Sequence, residues 1–375
     1  MSGLFPREEY EARLRRLRAL MAARGLEAVI LDESEMLHYF TGYAVSENLY
    51  RAAVIPLEGA PTMVLRLLDE QPFLKAAWFE TRRCVLDTED PLAAVAGVVG
   101  GARRVRLDMN SYCMPAKRFA RLQALLPEAA FEDLSEDLRP MRLIKSRWEV
   151  AVMRRAAGIA DETMRRAIAA AKPGASSRDA AAVASGSFVE LGADFGRCGP
   201  ITVGKGWNFM HGKLSSEPLA PGEVLHLELV PKVGGYCARL MRPAVMGAPS
   251  PELDDAAGAL IALQDRQIAA MVPGAEARAV DAILREGALK AGLRPHYHNN
   301  TGYTLGYYFE QAPRTSDFTR LFTPEADWRL EAGMVFHMYA SAAAGIAFSE
   351  TVLVTGERPE RLTKLERKLF QCGEA

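Results

Sequence analysis

The sequence predicts an α/β domain followed by an internally duplicated α+β domain, and three observations carry that reading. At 375 residues the chain exceeds the roughly 250 residues at which single hydrophobic cores stop growing. Short apolar runs alternate with helical stretches as far as about residue 135, the pattern of an α/β unit. Beyond that point a Pro-Gly-Ala turn leading into a helix occurs twice, at Pro173-Gly174-Ala175 and at Pro273-Gly274-Ala275, as expected of a duplicated domain.

Taken in order, Arg7 to Arg24 places Tyr10, Leu14, Leu17 and Met21 at three- and four-residue intervals, one apolar face of a helix. Glu27 to Leu31 reads as a buried strand. The runs AAVIPL, TMVLRL, RRCVLD and RRVRLD read as further strands, with PAKRFARLQALL as a helix between them and the domain border. That border falls near Leu138-Arg139-Pro140, giving domains 1–140 and 141–375. Ser146 with Glu149 three residues on is an N-cap pattern, and Val152, Met153, Ala156 and Ile159 follow on one face. Strand-like sequence closes each half of the second domain: ITVGKGWNF and VLHLELVPKV in the first, TGYTLGYYF, MVFHMYA and IAFSETVLV in the second. A site between the two halves would draw on all of these runs.

Composition narrows the partners. With 46 basic and 47 acidic side chains there is no charge surplus to recruit nucleic acid or an anionic membrane, which leaves a small molecule or a protein. No run of about 18 apolar residues exists, and the first twenty residues carry charges where a secretion signal has an apolar centre, so a cytoplasmic location is expected. The cysteines Cys84, Cys113, Cys198, Cys237 and Cys372 are scattered without a CxxC pair, which suits reduced thiols rather than disulfides or zinc.

The order of Leu143-Ile144-Lys145-Ser146 with Glu149, then His211, then PGEVLHLELVPKVGGYCARLMRPAVMG, TGYTLGYYFEQAP, LEAGMVFHMY and SETVLVT resembles the creatinase and aminopeptidase P family. That resemblance spans nearly the whole chain and implies an α/β N-terminal domain plus an α+β pita-bread domain with a pseudo-twofold duplication. Peptidase members of the family hold two metal ions with two aspartates, a histidine and two glutamates. By resemblance these positions fall on Glu228, on or beside Arg239, and on Tyr303, Tyr339 and Ser349. Only Glu228 is a good ligand, and a guanidinium repels cations, so neither a metal nor another cofactor is expected. Metal-free members include creatinase and enzymes similar to ectoine hydrolase, which cut C–N bonds of small zwitterions. The stretches MVFHM, FSET, LEL and GYTLG look more like the ectoine-hydrolase type, and Met241 stands where creatinase has an acidic residue.

His211, in NFMHGKLS, matches the histidine that serves as general acid and base in creatinase, and free imidazole titrates near pH 6.5. Glu228 alternates on its strand with His226 and Val230. It is the second catalytic candidate: a buried carboxylate there needs a partner, and it would orient the His211 imidazole or hold a cationic substrate group, with a structural ion pair to Arg239 or Arg242 as the alternative. Tyr303 and Tyr339 would wall a cavity and donate hydrogen bonds to substrate. His337 shares the face of Tyr339 and is a second candidate, with a core role as its alternative. Ser349 and Glu350 point to opposite faces of one strand, and Ser349 is the better candidate for the site, with Glu350 a substrate contact only through a local bulge. In FTGYAVSENLYRAAVIP, Tyr50 and Arg51 resemble the segment that reaches a neighbouring subunit's active site, which with the expected homodimer would place this domain near the partner's cavity. An exposed pair is the plainer alternative. His296 and His298 have HxH spacing without converging carboxylates. The chemistry expected is metal-independent hydrolysis of a C–N bond in a small polar molecule. A catalytically silent binding protein and, lower, a metal-dependent Xaa-Pro peptidase are the alternatives.

Overall fold

The computed structural model describes residues 3–43, 49–307 and 319–373. The chain divides into two compact units whose border in the chain is Met141 and Arg142. In the first unit, strands β1 (Ala28–Leu31), β2 (Ala52–Pro56), β3 (Thr62–Arg66), β4 (Arg82–Val85), β5 (Arg104–Leu107) and β6 (Ala130–Asp133) form one sheet in the order β4-β3-β2-β1-β5-β6. The β1–β5, β3–β4 and β5–β6 pairs are parallel and the other two antiparallel. Helices α1 (Arg7–Ala23), α2 (Ser34–Thr41), α3 (Glu70–Ala76), α4 (Pro91–Val99), α5 (Ala116–Leu125) and α6 (Ser135–Leu138) connect and cover it. The predicted face of α1, Tyr10, Leu14, Leu17 and Met21, is buried, and Ile30, Val54, Val64, Val95, Val105 and Leu122 meet in a core covered by α4 and α5.

The second unit opens with α7 (Arg147–Ala170), whose capping box joins Ser146 and Glu149 as the sequence predicts. Helix α7 pairs with α8 (Ser177–Glu190), and α9 (Pro251–Ala269) pairs with α10 (Ala277–Lys290). The duplication shows in the connections. Gly174 and Gly274 both take left-handed backbone, at φ +83° and +85°, which costs an ordinary side chain strain and glycine none.

The sheet of this unit contains β7 (Ile201–Gly204), β8 (Val224–Leu229), β11 (Leu240–Met246), β12 (Gly302–Thr304), β13 (Val335–Ala342) and β14 (Ile346–Leu353) in the order β12-β13-β14-β11-β8-β7, with β9 (Lys232–Val233) and β10 (Tyr236–Cys237) as a separate ribbon between β8 and β11. Short strands β15 (Glu360–Arg361) and β16 (Phe370–Cys372) pair with β14 and β11. The predicted runs ITVGKGWNF and TGYTLGYYF are strands only over β7 and β12. Residues 308–318 of the latter region and 44–48 of the FTGYAVSENLY segment lie outside the described residues.

Strand alternation sorts the sheet into two faces. Phe336, Met338 and Val352 pack on Ile268, Met271 and Val280, while Ala340 and Phe348 pack on Leu260, Leu263 and Leu284. Side chains of opposite parity, among them His337, Tyr339 and Ser341, therefore turn away from α9 and α10. Among the described residues no helix is long and apolar enough to cross a membrane, and all five cysteines are free.

Candidate functional site

On the face turned away from α9 and α10, cross-strand pairing lines up the positions singled out by the sequence. Tyr303 sits opposite His337, Tyr339 opposite Ser349, Ser349 opposite Met241, and Met241 opposite Glu228. Directly opposed residues of antiparallel strands share a face, so one row crosses five strands, stepping two residues along β13 from His337 to Tyr339. Gly302 lets β12 close on β13, since a Cβ there would meet the Met338 sulfur at 2.4 Å and the His337 carbonyl oxygen at 2.9 Å.

Above this row lies a cavity of about 590 Å³ lined by His211, His226, Glu228, Arg239, Tyr303, His337 and Tyr339, with Trp207, Asn299, Asn300 and Ser341 also on its wall. Glu228 and Arg239 form its floor as an ion pair, their side chains 2% and 8% exposed. Arg239 also donates to the Tyr303 hydroxyl, and its guanidinium lies 5.3 Å from that ring's centre. Its backbone is tied to Thr351, whose Oγ1 accepts from the Arg239 amide at 2.8 Å and donates to the Arg239 carbonyl at 3.0 Å. The aromatic wall is continuous, with Tyr303 and His337 ring centres 5.0 Å apart and His337 stacked on Tyr339 at 5.3 Å.

Tyr339 is held at its tip. Asn299 Nδ2 donates to its hydroxyl at 3.1 Å, and the hydroxyl donates to Asn300 Oδ1 at 3.2 Å. Burial raises the Tyr339 phenol above its ordinary range, the Asn299 bond opposes the rise, and the Glu228 charge adds to it. Arg285 fixes the asparagine loop from behind by donating to the Tyr297 and Asn299 carbonyls at 2.6 and 3.0 Å while paired with Asp281.

His226 occupies the strand position two before Glu228 and is buried on the cavity wall with its Nδ1 unpartnered. Burial pushes its imidazole down to about 4, against the pull of Glu228 and helped by His211. It is therefore a neutral imidazole at neutral pH, able to donate one hydrogen bond without carrying charge. His211 reaches the cavity from the exposed loop after β7, and Gly212 of that loop lies over Thr202, the cross-strand neighbour of His226.

The structure thus brings His211, Glu228, Tyr303, His337 and Tyr339 around one space. Ser349 shares their face but is fully buried between Tyr339 and Met241 with its Oγ unpartnered. Glu350 does not join them. It falls on the helix-packed face, where Arg242 Nη2 donates to it at 2.8 Å and Thr363 Oγ1 donates to its other oxygen, with both members of the ion pair fully buried. No bulge turns it, because β13 and β14 stay in register from Val335 to Ala342. Tyr50 and Arg51 are neither exposed nor presented outward. The Tyr50 hydroxyl donates to Asp32 at 3.1 Å, and Arg51 donates to Ser34 Oγ at 2.9 Å, inside the first unit. His296 and His298 stack on each other at 5.5 Å in an exposed loop.

Sequence reasoning missed His226, Arg239 as a cavity wall, Asn299 and Asn300. The alternation His226, Glu228 was the available signal for the first. The five positions that the family resemblance assigns to metal ligands offer one carboxylate, already paired to a guanidinium, plus two phenols and a buried hydroxyl. Among the described residues no group of three or more His, Cys, Asp or Glu is placed to hold a metal ion. Two divalent cations do not fit this donor set.

Comparison with known proteins agrees with this architecture. Residues 151–356 match the metallopeptidase family M24, and residues 13–144 match the creatinase/prolidase N-terminal domain. The uncharacterized peptidase YqhT of Bacillus subtilis is 24% identical over 367 residues, covering 96% of this chain and 99% of that one. The ectoine hydrolase of Halomonas elongata is 25% identical over 401 residues, covering 98% of each. Among solved structures, dipeptidase PepE from Mycobacterium ulcerans superposes with a TM-score of 0.80 at 24% identity, covering 99% of this chain and 100% of that one, a likeness of fold.

Proposed function

The chain belongs to the metallopeptidase family M24, with a creatinase-type N-terminal domain and a pita-bread domain, and on that premise we propose that it is a metal-independent hydrolase of an amide or amidine C–N bond in a small polar or zwitterionic molecule. The observation that carries this reading is the Glu228–Arg239 ion pair, with Tyr303 bound to it, on the floor of the cavity that His211 overlooks. Similarity to an ectoine hydrolase over 98% of both chains supports a C–N substrate, whereas the family as a whole includes dipeptidases.

In this reading His211 takes a proton from water as the water oxygen attacks the carbon. The C–N bond then breaks, and the proton passes from His211 to the leaving nitrogen. The oxygen gaining charge meets hydrogen-bond donors on the wall, Tyr303 and neutral His226, while Tyr339, whose proton goes to Asn300, shapes the cavity. Glu228 compensates Arg239 and keeps the floor near neutrality. The expected homodimer and cytoplasmic location belong to this proposal as well.

A mass-spectrometric turnover screen of ectoine, creatine and cyclic amidines, followed by His211→Ala, tests it. A loss of about 10²–10⁴-fold in kcat is expected, and unchanged turnover in the variant removes the mechanism. One observation favours a second reading, a non-catalytic binder: Glu228 is paired with Arg239, and among the described residues no hydrogen bond joins it to His211. Saturable binding with no product over long incubation would select it.

A further inference from the structure

The cavity region carries one more positive charge than its ion pair accounts for. Arg294, in the loop after α10, is 7% exposed. Its Nη1 donates to Asn299 Oδ1 at 2.9 Å and to Ser341 Oγ at 3.3 Å. Its guanidinium lies 4.0 Å from the centre of the Trp207 ring and 4.2 Å from that of Tyr297. Asn299, Ser341 and Trp207 all line the cavity.

Neighbouring arginines behave differently. Arg239 is paired with Glu228, Arg242 with Glu350 and Arg285 with Asp281. Among the described residues no Asp or Glu pairs with Arg294. Aromatic faces recover part of the desolvation cost of a cation but do not neutralise it. With Glu228 and Arg239 cancelling, the wall made by Trp207, Asn299 and Ser341 keeps a positive potential that lacks its counter-charge.

We propose that Asn299, Ser341 and Trp207, with the Arg294 charge directly behind them, form an anion subsite in the cavity wall that takes the carboxylate of the ligand. A single cation behind a polar wall balances a monoanion such as a carboxylate, while a phosphate dianion calls for more than one cation. The assignment rests on the cavity being the reaction site.

A matched pair of probes tests it on the full chain: N-acetylglycine and N-acetylglycinamide, which differ only in carboxylate against carboxamide, titrated by ligand-observed NMR. The acid is expected to bind roughly tenfold to a hundredfold more tightly than the amide. Arg294→Met should abolish that preference by weakening the acid alone, and Arg294→Lys should keep part of it. Arg294→Lys carries the test if the methionine variant does not fold. Equal affinities in the unaltered protein, failure of both probes to bind at tens of millimolar, or a preference that survives Arg294→Met would each overturn the subsite. Tighter binding of inorganic phosphate than of N-acetylglycine would overturn the carboxylate assignment. Because the readout is binding, an acid preference in a protein that hydrolyses nothing upholds the subsite and defeats the hydrolase reading. Hydrolysis of an uncharged amide without acid preference does the reverse.

Discussion

Substituting Arg239 by methionine leaves Glu228, 2% exposed on its side chain, as a buried carboxylate without its cation. Removing one partner of a buried pair costs about 3–5 kcal/mol, and the low end applies because Glu228 lines an open cavity from which water can reach it. Glu228→Leu should cost a similar amount by removing the carboxylate that compensates the Arg239 charge. The double variant Glu228→Leu/Arg239→Met removes both charges from the floor. Replacing a buried pair by apolar groups of similar size is commonly neutral or stabilising. The sum of the single effects, about 6 kcal/mol, should therefore exceed the effect of the double variant by several kcal/mol. Guanidinium titration of the four proteins, followed by far-ultraviolet circular dichroism, measures the cycle. Single variants costing less than about 1 kcal/mol each, with an additive double variant, would show that the pair behaves as a surface contact. The claim that it has taken over the floor of the metal site would then fall.

Other expectations follow from the same geometry. His226, held down to about 4 in the fold against roughly 6.5 in the unfolded chain, refuses a proton that the unfolded chain accepts. Stability from this group is thus complete above about pH 6.5 and is lost as pH falls toward 4, by at most about 3 kcal/mol. Asp32 of the first unit, pushed up to about 6 by burial, contributes with the opposite sign over much of that range, so the His226 term is read as the difference between wild type and His226→Gln. That difference should move in favour of the variant on acidification, and a constant difference refutes it. Glu350→Gln should cost about 3–5 kcal/mol by stranding Arg242, yet leave the KM of the folded fraction unchanged, as its face meets helices rather than the cavity. Tyr339→Phe should lose about 1–2 kcal/mol of stability with the Asn299 and Asn300 bonds, and melting curves would show no shift if those bonds are inconsequential.

Much of the fold was legible because local signals and tertiary packing agree. The apolar face of α1, the Ser146 cap and the twin turns at Gly174 and Gly274 each follow from spacing or from a backbone angle that one residue type favours. Strand parity also separated Ser349 from Glu350 correctly. It could not show that Ser349 would be covered by its neighbours or that Glu350 would meet Arg242. Glu228 was readable as a carboxylate needing a cation, and Arg239, eleven residues on across the β9–β10 ribbon, supplies it. Tyr50 and Arg51 misled because an adjacent aromatic and arginine look exposed until the fold supplies Asp32 and Ser34. His226 and Arg294 carried no motif. One is marked only by burial and the other only by a carboxylate that never arrives, and both are properties of the folded chain.

Elemental analysis of freshly purified protein, run beside C–N turnover with and without chelator, decides whether the cavity works without metal. Less than about a tenth of a metal ion per chain and hydrolysis that chelator leaves unchanged are expected. One or two tightly held metal ions per chain, with activity lost on chelation, would contradict it and return the cavity to metal-dependent peptide hydrolysis.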